Sequence, residues 1–404
     1  AMQPPADPDK KGSNEPVDPP EKEEDTAFGT TGPAAKSSAA PPPPPPSKPP
    51  PDSKSTAAKK KRAVWDNFIK NLSSVEYTSR GEKFNFKYHD LIHVLISIKA
   101  TLMADPSLVR CNIPCVIIGD IHGQFVDLFR IFSLLAQGNK PGWLVHRFVF
   151  LGDYIDRGPC SLEVIVFVFL LKIRFPKQIF LLRGNHECKP INRVYGFLME
   201  MESRFGKEKG NDMFHMFNEA FTHLPFACLV GTSVLCMHGG ISDKLTSLEA
   251  IEQIPKPLVD PNTNQLACDL LWADPMLGLK GYKENNVRGV SVHFGEDVLH
   301  STMDRLNLRL IVRGHQMMMN GFNFFGNPLS KKKLVTVFTA PSYYPDKPNR
   351  GAALLLRGNG TIGFKILVPA CGGEKNYHED HQVANDNDAG FVRNIVDGKV
   401  EKPW

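Results

Sequence analysis

Short apolar runs that stop abruptly at glycine and polar residues recur through the middle of the chain. Cys115 to Ile118, Arg147 to Leu151, Gln178 to Leu182, Ser233 to Met237 and Arg309 to Val312 have the length and apolar continuity of buried strands. Between several of them the period changes. Leu162 to Ile173 and Asp212 to Phe221 repeat at helical spacing, as do Leu91, Val94, Leu95, Ile98 and Leu102 before the first strand, where Asp105-Pro106 supplies a stop. Strands interleaved with helices, each strand ending in a polar motif, predict an α/β protein whose ligands bind beyond the strand ends. Leu334 to Thr339, Ala352 to Leu356 and Thr361 to Val368 then follow without helices between them and predict a second, antiparallel sheet.

Composition sets the limits of this folded region. Residues 1–62 combine Pro, Ser, Ala, Lys and Glu with almost no large apolar side chains, so they cannot bury enough surface to offset ordering and are expected to be disordered. Within them Pro41 to Pro46 favour polyproline II, either as a stiff spacer or as a ligand for an SH3- or WW-like module. Ala1 before Met2 reads as a cloning scar. The folded region is expected over 63–370, starting near Trp65, and 371–404 as a polar, loosely held tail.

At 404 residues with 42% apolar and 23% charged side chains, the chain can bury a full core. No charged start followed by an apolar stretch suggests a secretory signal, and the longest apolar run, Val164 to Leu171, is far shorter than the roughly 20 residues that cross a bilayer. A soluble protein of the cytoplasm or nucleus is expected, without a membrane partner. The eight cysteines form no C-x-x-C pair, which argues for reduced, packed thiols. A net charge of +5 does not point to nucleic acid. Lys59, Lys60, Lys61 and Arg62 read either as a solvated linker end or as a nuclear-localisation patch.

Candidate chemistry gathers at the strand ends. In Gly119-Asp-Ile-His-Gly-Gln124, Asp120 and His122 follow an apolar run, and a carboxylate with an imidazole suits a divalent ion. Asp153 comes 33 residues after Asp120, and Asn185 another 32 residues on, each interval the length of one strand-helix-strand unit. Gly152-Asp-Tyr-Ile-Asp-Arg-Gly158 and Arg183-Gly-Asn-His-Glu187 share a design: glycine for a tight turn, an oxygen ligand and an arginine able to fork onto phosphate. His238 in His-Gly-Gly and His315 in Arg-Gly-His-Gln add two imidazoles after later strands. A lone histidine is more often a packing residue; five such motifs in order are not explained that way.

This set resembles the signature of the phosphoprotein phosphatases, metal-dependent serine/threonine phosphatases, over roughly Phe86 to Ala370, and is most similar to the type 1 branch. The resemblance implies a calcineurin-like metallophosphoesterase fold, an α/β two-sheet β-sandwich flanked by helices. It implies two divalent metal ions, manganese in vitro and iron or zinc natively, one held by Asp120, His122 and Asp153, the other by Asp153, Asn185, His238 and His315. It further implies hydrolysis of phosphoserine and phosphothreonine by a metal-bridging hydroxide. His186 would protonate the departing oxygen, oriented by Asp156, and Arg157, Arg288, Asn185 and Tyr343 would bind phosphate. Phosphoproteins would be the substrates. Regulatory subunits with short hydrophobic motifs would dock on Val234, Leu310, Phe324, Ile362 and Phe364.

The chain departs from the type 1 pattern in places. Gly314 stands where those enzymes have alanine, an exchange expected to be harmless, and Ala340 to Asn349 differs from the usual loop, which leaves toxin sensitivity open. Extra residues near Asn139 to Val145 and Asn327 to Lys333 are expected in loops. The rival readings are a phosphoesterase for small substrates and a catalytically weak, phosphatase-like scaffold; the intact ligand residues and His186 disfavour the scaffold.

Overall fold

The structure, a computed structural model, describes residues 53–330, 333–344, 346, 348–369, 392–394 and 400–401. The expectations placed on residues 1–52 and on most of 371–404, the polyproline run included, lie outside the described residues. A helix Ser53–Leu72 crosses the boundary expected near residue 62 and buries Trp65, Ile69 and Leu72.

Two mixed sheets form the centre. One runs Leu108–Cys111, Ala227–Val230, Val234–Met237, Leu310–Arg313, Lys333–Val337 and Phe322–Phe325 from edge to edge. The other runs Val400–Glu401, Val392–Asn394, Thr361–Leu367, Gly351–Leu356, Cys115–Ile118, Phe148–Phe150 and Ile179–Leu181. Alternation along the strands builds three apolar layers. Cys115, Ile117, Val149, Val234, Cys236, Leu310 and Val312 face the space between the sheets. Val116, Ile118, Phe148 and Phe150 face helices on one side, while Leu235, Met237 and Ile311 face helices on the other.

The expectation of a separate antiparallel sheet is corrected. Lys333–Val337 pairs in parallel with Leu310–Arg313 in the first sheet, whereas Gly351–Leu356 pairs antiparallel with Cys115–Ile118 in the second. Period identified these runs as strands, but a strand's partner depends on where the connecting chain crosses, which no local pattern records. The helix Ser161–Arg174 is buried from Ser161 through Lys172, as its apolar residues on every face require. Asn139 to Val145 is likewise more than a loop: a single helical turn, Gly142–Val145, packs Trp143 against Phe129, Phe132 and Phe167. All the described cysteines are free and buried, and among the described residues no helix is long and apolar enough to cross a membrane.

Candidate metal centre

Cys115–Ile118, Phe148–Phe150 and Ile179–Leu181 are parallel neighbours, so the motifs after them emerge at the same end of their sheet. Val234–Met237 and Leu310–Arg313 are parallel neighbours in the opposite sheet and deliver His238 and His315. The two strand ends are stitched together at Gly119, whose N–H donates to Thr339 Oγ1 at 2.9 Å, and at Asp120, which bridges to Phe338. A Cβ on Gly119 would lie 2.0 Å from the Val337 carbonyl oxygen, so only glycine permits this approach.

Six sequence-predicted side chains meet here in close order. His238 Nε2 is 3.3 Å from Asp153 Oδ2, 2.8 Å from Asn185 Oδ1 and 3.2 Å from His315 Nδ1, and His315 Nδ1 is 2.9 Å from Asn185 Oδ1. On the other side of Asp153, His122 Nε2 lies 3.6 Å from Asp153 Oδ2 and 3.9 Å from Asp120 Oδ2. Tautomers follow from the outer contacts, because a carbonyl can only accept. His238 Nδ1 donates to Leu151 O at 3.2 Å and His122 Nδ1 to Ile155 O at 3.0 Å, which leaves both Nε2 atoms facing inward as lone pairs in the neutral rings. With both rings neutral, the state in which a cation would be bound, lone pairs from Asp153, Asn185, His122 and His238 converge in a buried space. Without a cation, burial works against protonating His238, but the Asp153 carboxylate outweighs it and raises its pKa. These donors fit two divalent ions of the hard to borderline class. Burial pushes the Asp120 carboxyl up to about 6 and the His122 imidazole down to about 3.

His186 stands beside this cluster with its Nε2 4.0 Å from Asp153 Oδ2, and its Nδ1 donates to Asp156 Oδ2 at 2.7 Å. Asp156 is fixed in turn by the Phe197 N–H on Oδ1. Burial alone would lower the His186 pKa, but the Asp153 and Asp156 carboxylates outweigh it and hold the ring above the usual histidine range. Arg157 is exposed and stacks over Tyr195, 4.2 Å from the ring centroid, while Tyr195 packs against His186. Arg288 reaches the site differently: its Nε donates to Asp274 Oδ2 at 3.0 Å, and Nη2 lies 3.4 Å from the His315 carbonyl oxygen. Tyr343 packs on His122 at 5.0 Å between ring centroids.

Two positioning residues were not singled out from the sequence. Glu187 closes the Arg183 to Glu187 motif by accepting from the N–H groups of Asp153, Tyr154 and Gly184. Asp274 joins Arg288 to the fully buried Arg313. Glu187 was legible in its motif; Asp274, in an ordinary Asp-Pro step, carried no local signal. The expected docking residues come together in and against the apolar layer between the sheets. Val234, Leu310, Ile362 and Phe364 are only 4, 2, 2 and 4% exposed, and Phe324 alone is half-buried. Beside them Phe322 stacks face to face on Phe364 at 3.7 Å.

An α/β sandwich with oxygen and imidazole donors converging at the strand ends of both sheets defines a metal-dependent phosphoesterase class. The calcineurin-like phosphoesterase family matches residues 113–319. Serine/threonine-protein phosphatase PP1-delta of Caenorhabditis elegans is 38% identical over 304 residues, covering 75% of this chain and 95% of that protein. A solved protein serine/threonine phosphatase of Saccharomyces cerevisiae, with similarity to human phosphatase PP5, matches with a TM-score of 0.61 at 29% identity, covering 72% of this chain and 92% of its own. The chain belongs to the calcineurin-like phosphoesterases, within their serine/threonine protein phosphatases. That family uses two metal ions.

Proposed function

We propose that this chain is a metal-dependent phosphatase that hydrolyses phosphoserine and phosphothreonine in proteins. The observation that carries the reading is the convergence of Asp153, Asn185, His122 and His238 lone pairs beside a histidine already paired to a carboxylate. Asp120, His122 and Asp153 would hold one divalent cation and Asp153, Asn185, His238 and His315 the other; manganese serves in vitro and iron or zinc natively, given the mixed oxygen and nitrogen donors. Such a pair supplies charge neutralisation for the phosphate and a water acidified toward neutral pH.

The chain's own residues do the rest. Arg157, on the exposed lip, and Arg288, with Asp274 taking its Nε, present guanidinium donors to the phosphate oxygens, and Asn185 and Tyr343 complete the rim. His186 keeps its proton on Nε2 while Nδ1–H is held by Asp156, so it can give the Nε2 proton to the departing serine or threonine oxygen. Direct displacement needs no covalent enzyme intermediate. Substrates are phosphoproteins of the cytoplasm or nucleus; docking by regulatory subunits at the sandwich edge and by aromatic-grooved modules at Pro41 to Pro46 belongs to the same reading.

The test is manganese-dependent phosphate release from a phosphoserine peptide, run beside a dinucleotide. His186→Ala and Asp120→Asn should each lower peptide turnover by about 10² or more. Equal activity in all three proteins, or turnover of the dinucleotide in preference to the peptide, would refute the assignment.

A further inference from the structure

The main-chain carbonyl of His186 takes its hydrogen bond from a side chain. The helical turn Lys189–Asn192 begins shortly after it, and Pro190, four residues on, has no N–H to offer. The Asn192 side chain fills that role, its Nδ2 donating to His186 O at 2.9 Å. The same amide nitrogen donates to Asn218 Oδ1 at 2.9 Å, and Asn218 Nδ2 donates back to Asn192 Oδ1 at 3.1 Å and to Phe214 O at 2.9 Å. Both amide orientations are fixed, because turning either one over would set its oxygen against a backbone carbonyl, which can only accept. Asn192 is fully buried and Asn218 is 6% exposed. Two amides cost more to bury than two aliphatic side chains, so stability alone gives no reason for the pair.

Asn218 lies on the helix Lys207–Phe221, and the preceding helix, Phe197–Phe205, supplies the Phe197 N–H that fixes Asp156. Asp156 holds the His186 ring at Nδ1, Asn192 holds the His186 carbonyl, and the His186 N–H donates to Asp153 Oδ1 at 3.0 Å. Consecutive helices therefore anchor one residue at its ring and at its main chain. We propose that Asn192 is a positioning residue for the general acid, and that Asn218 acts through it to fix that acid to the helix Lys207–Phe221. The proposal rests on the acid role given to His186 above. Breaking the phosphorus–oxygen bond of a phosphoserine leaves an alkoxide that takes the Nε2 proton of His186, and transfer requires that nitrogen within hydrogen-bond reach of the departing oxygen. A nitrophenyl ester departs as a stable phenolate and needs no proton. Misplacing the acid should therefore slow the first substrate and largely spare the second.

The test is manganese-dependent turnover of a phosphoserine peptide and of p-nitrophenyl phosphate by Asn192→Leu, Asn218→Leu and the double variant, beside the unaltered chain and His186→Ala. Asn192→Leu should lower kcat on the peptide by about tenfold or more with KM little changed, and on the nitrophenyl ester by less than about threefold. His186→Ala should show the same asymmetry more strongly. The double variant should be no slower on the peptide than Asn192→Leu, since the contacts of Asn218 reach the acid through Asn192. It also leaves neither amide of the pair buried without its partner, so it is the variant expected to keep the fold. Amide exchange at His186, measured without metal, should be faster in Asn192→Leu. Equal loss on both substrates by Asn192→Leu while His186→Ala remains selective, a double variant whose loss is the product of the single losses, or unchanged exchange would overturn this proposal alone. No peptide turnover by the unaltered chain would refute the phosphatase reading, and this proposal with it.

Discussion

His122, Asp153, Asp156, Arg157 and His315 all take φ between 46° and 70°, a left-handed conformation that costs side chains with a Cβ of order 1 kcal/mol or more each. Such strain is concentrated in the site, where surrounding hydrogen bonds, such as that from the Phe197 N–H to Asp156 Oδ1, keep it in place. Gly314 belongs to the same tight geometry: a Cβ there would stand 2.4 Å from Asp120 Oδ1, the atom that accepts the His315 N–H at 2.9 Å, so the glycine suits the place where this chain sets that carboxylate. His186 offers the sharpest test at this scale. Its acid form is favoured by Asp153 and Asp156, so turnover should fall as pH rises through the raised His186 pKa. Removing the Asp156 charge takes away part of what stabilises the protonated ring. In Asp156→Asn the alkaline limb of the kcat profile should therefore move to lower pH; an unmoved limb would show that another group is the acid.

At the scale of elements, the helix Ser161–Arg174 poses a problem, because Lys172 is buried with it. Its ammonium pairs with Asp105 at 2.7 Å and donates to the Pro176 carbonyl. Removing Asp105 leaves a buried charge without its partner, whereas an apolar replacement for the lysine removes both the charge and its cost. Asp105→Ala should lower unfolding stability by about 3 kcal/mol and Lys172→Met by much less, compared by urea denaturation. If Lys172→Met is the worse of the two, the pair stabilises more than its desolvation costs. The strands and long helices were legible in the sequence because apolar period is a local property: Cys115–Ile118 and Ser161–Arg174 fall within a residue or two of where the pattern put them. Donor residues were legible for the same reason, since each directly follows its strand. Sheet membership of Lys333–Val337, the stacking of Phe322 on Phe364, and the link from Asp274 to Arg288 were not, because each depends on residues far apart in sequence.

For the whole molecule, the donors come from both halves of the sandwich. Asp120, Asp153 and Asn185 follow strands of the seven-stranded sheet, and His238 and His315 follow strands of the other, so cations held by these residues would tie one sheet to the other at a single end. Without cations the Asp153 and Asn185 oxygens lie 3.3 and 2.8 Å from His238 Nε2 in a buried space. Burial works against protonating that ring, but the Asp153 carboxylate outweighs it and raises its pKa, so a proton takes a cation's place there as a weaker tie and the strand ends should loosen. Ligands that bind only the folded state stabilise it by RT ln(1 + [L]/Kd), about 4 kcal/mol for each ion present at a thousand times its Kd. Chelation should therefore lower Tm by about 5 °C or more, and adding manganese back should restore it. The loss should also be local. Amide exchange should speed up at Asp120, Asp153, His238 and His315 while the helix Ser161–Arg174, buried on the far side of its sheet from the sandwich interior, keeps its protection. A Tm unchanged by chelation would mean that the strand ends hold themselves together, and that the converging lone pairs are tolerated without a cation.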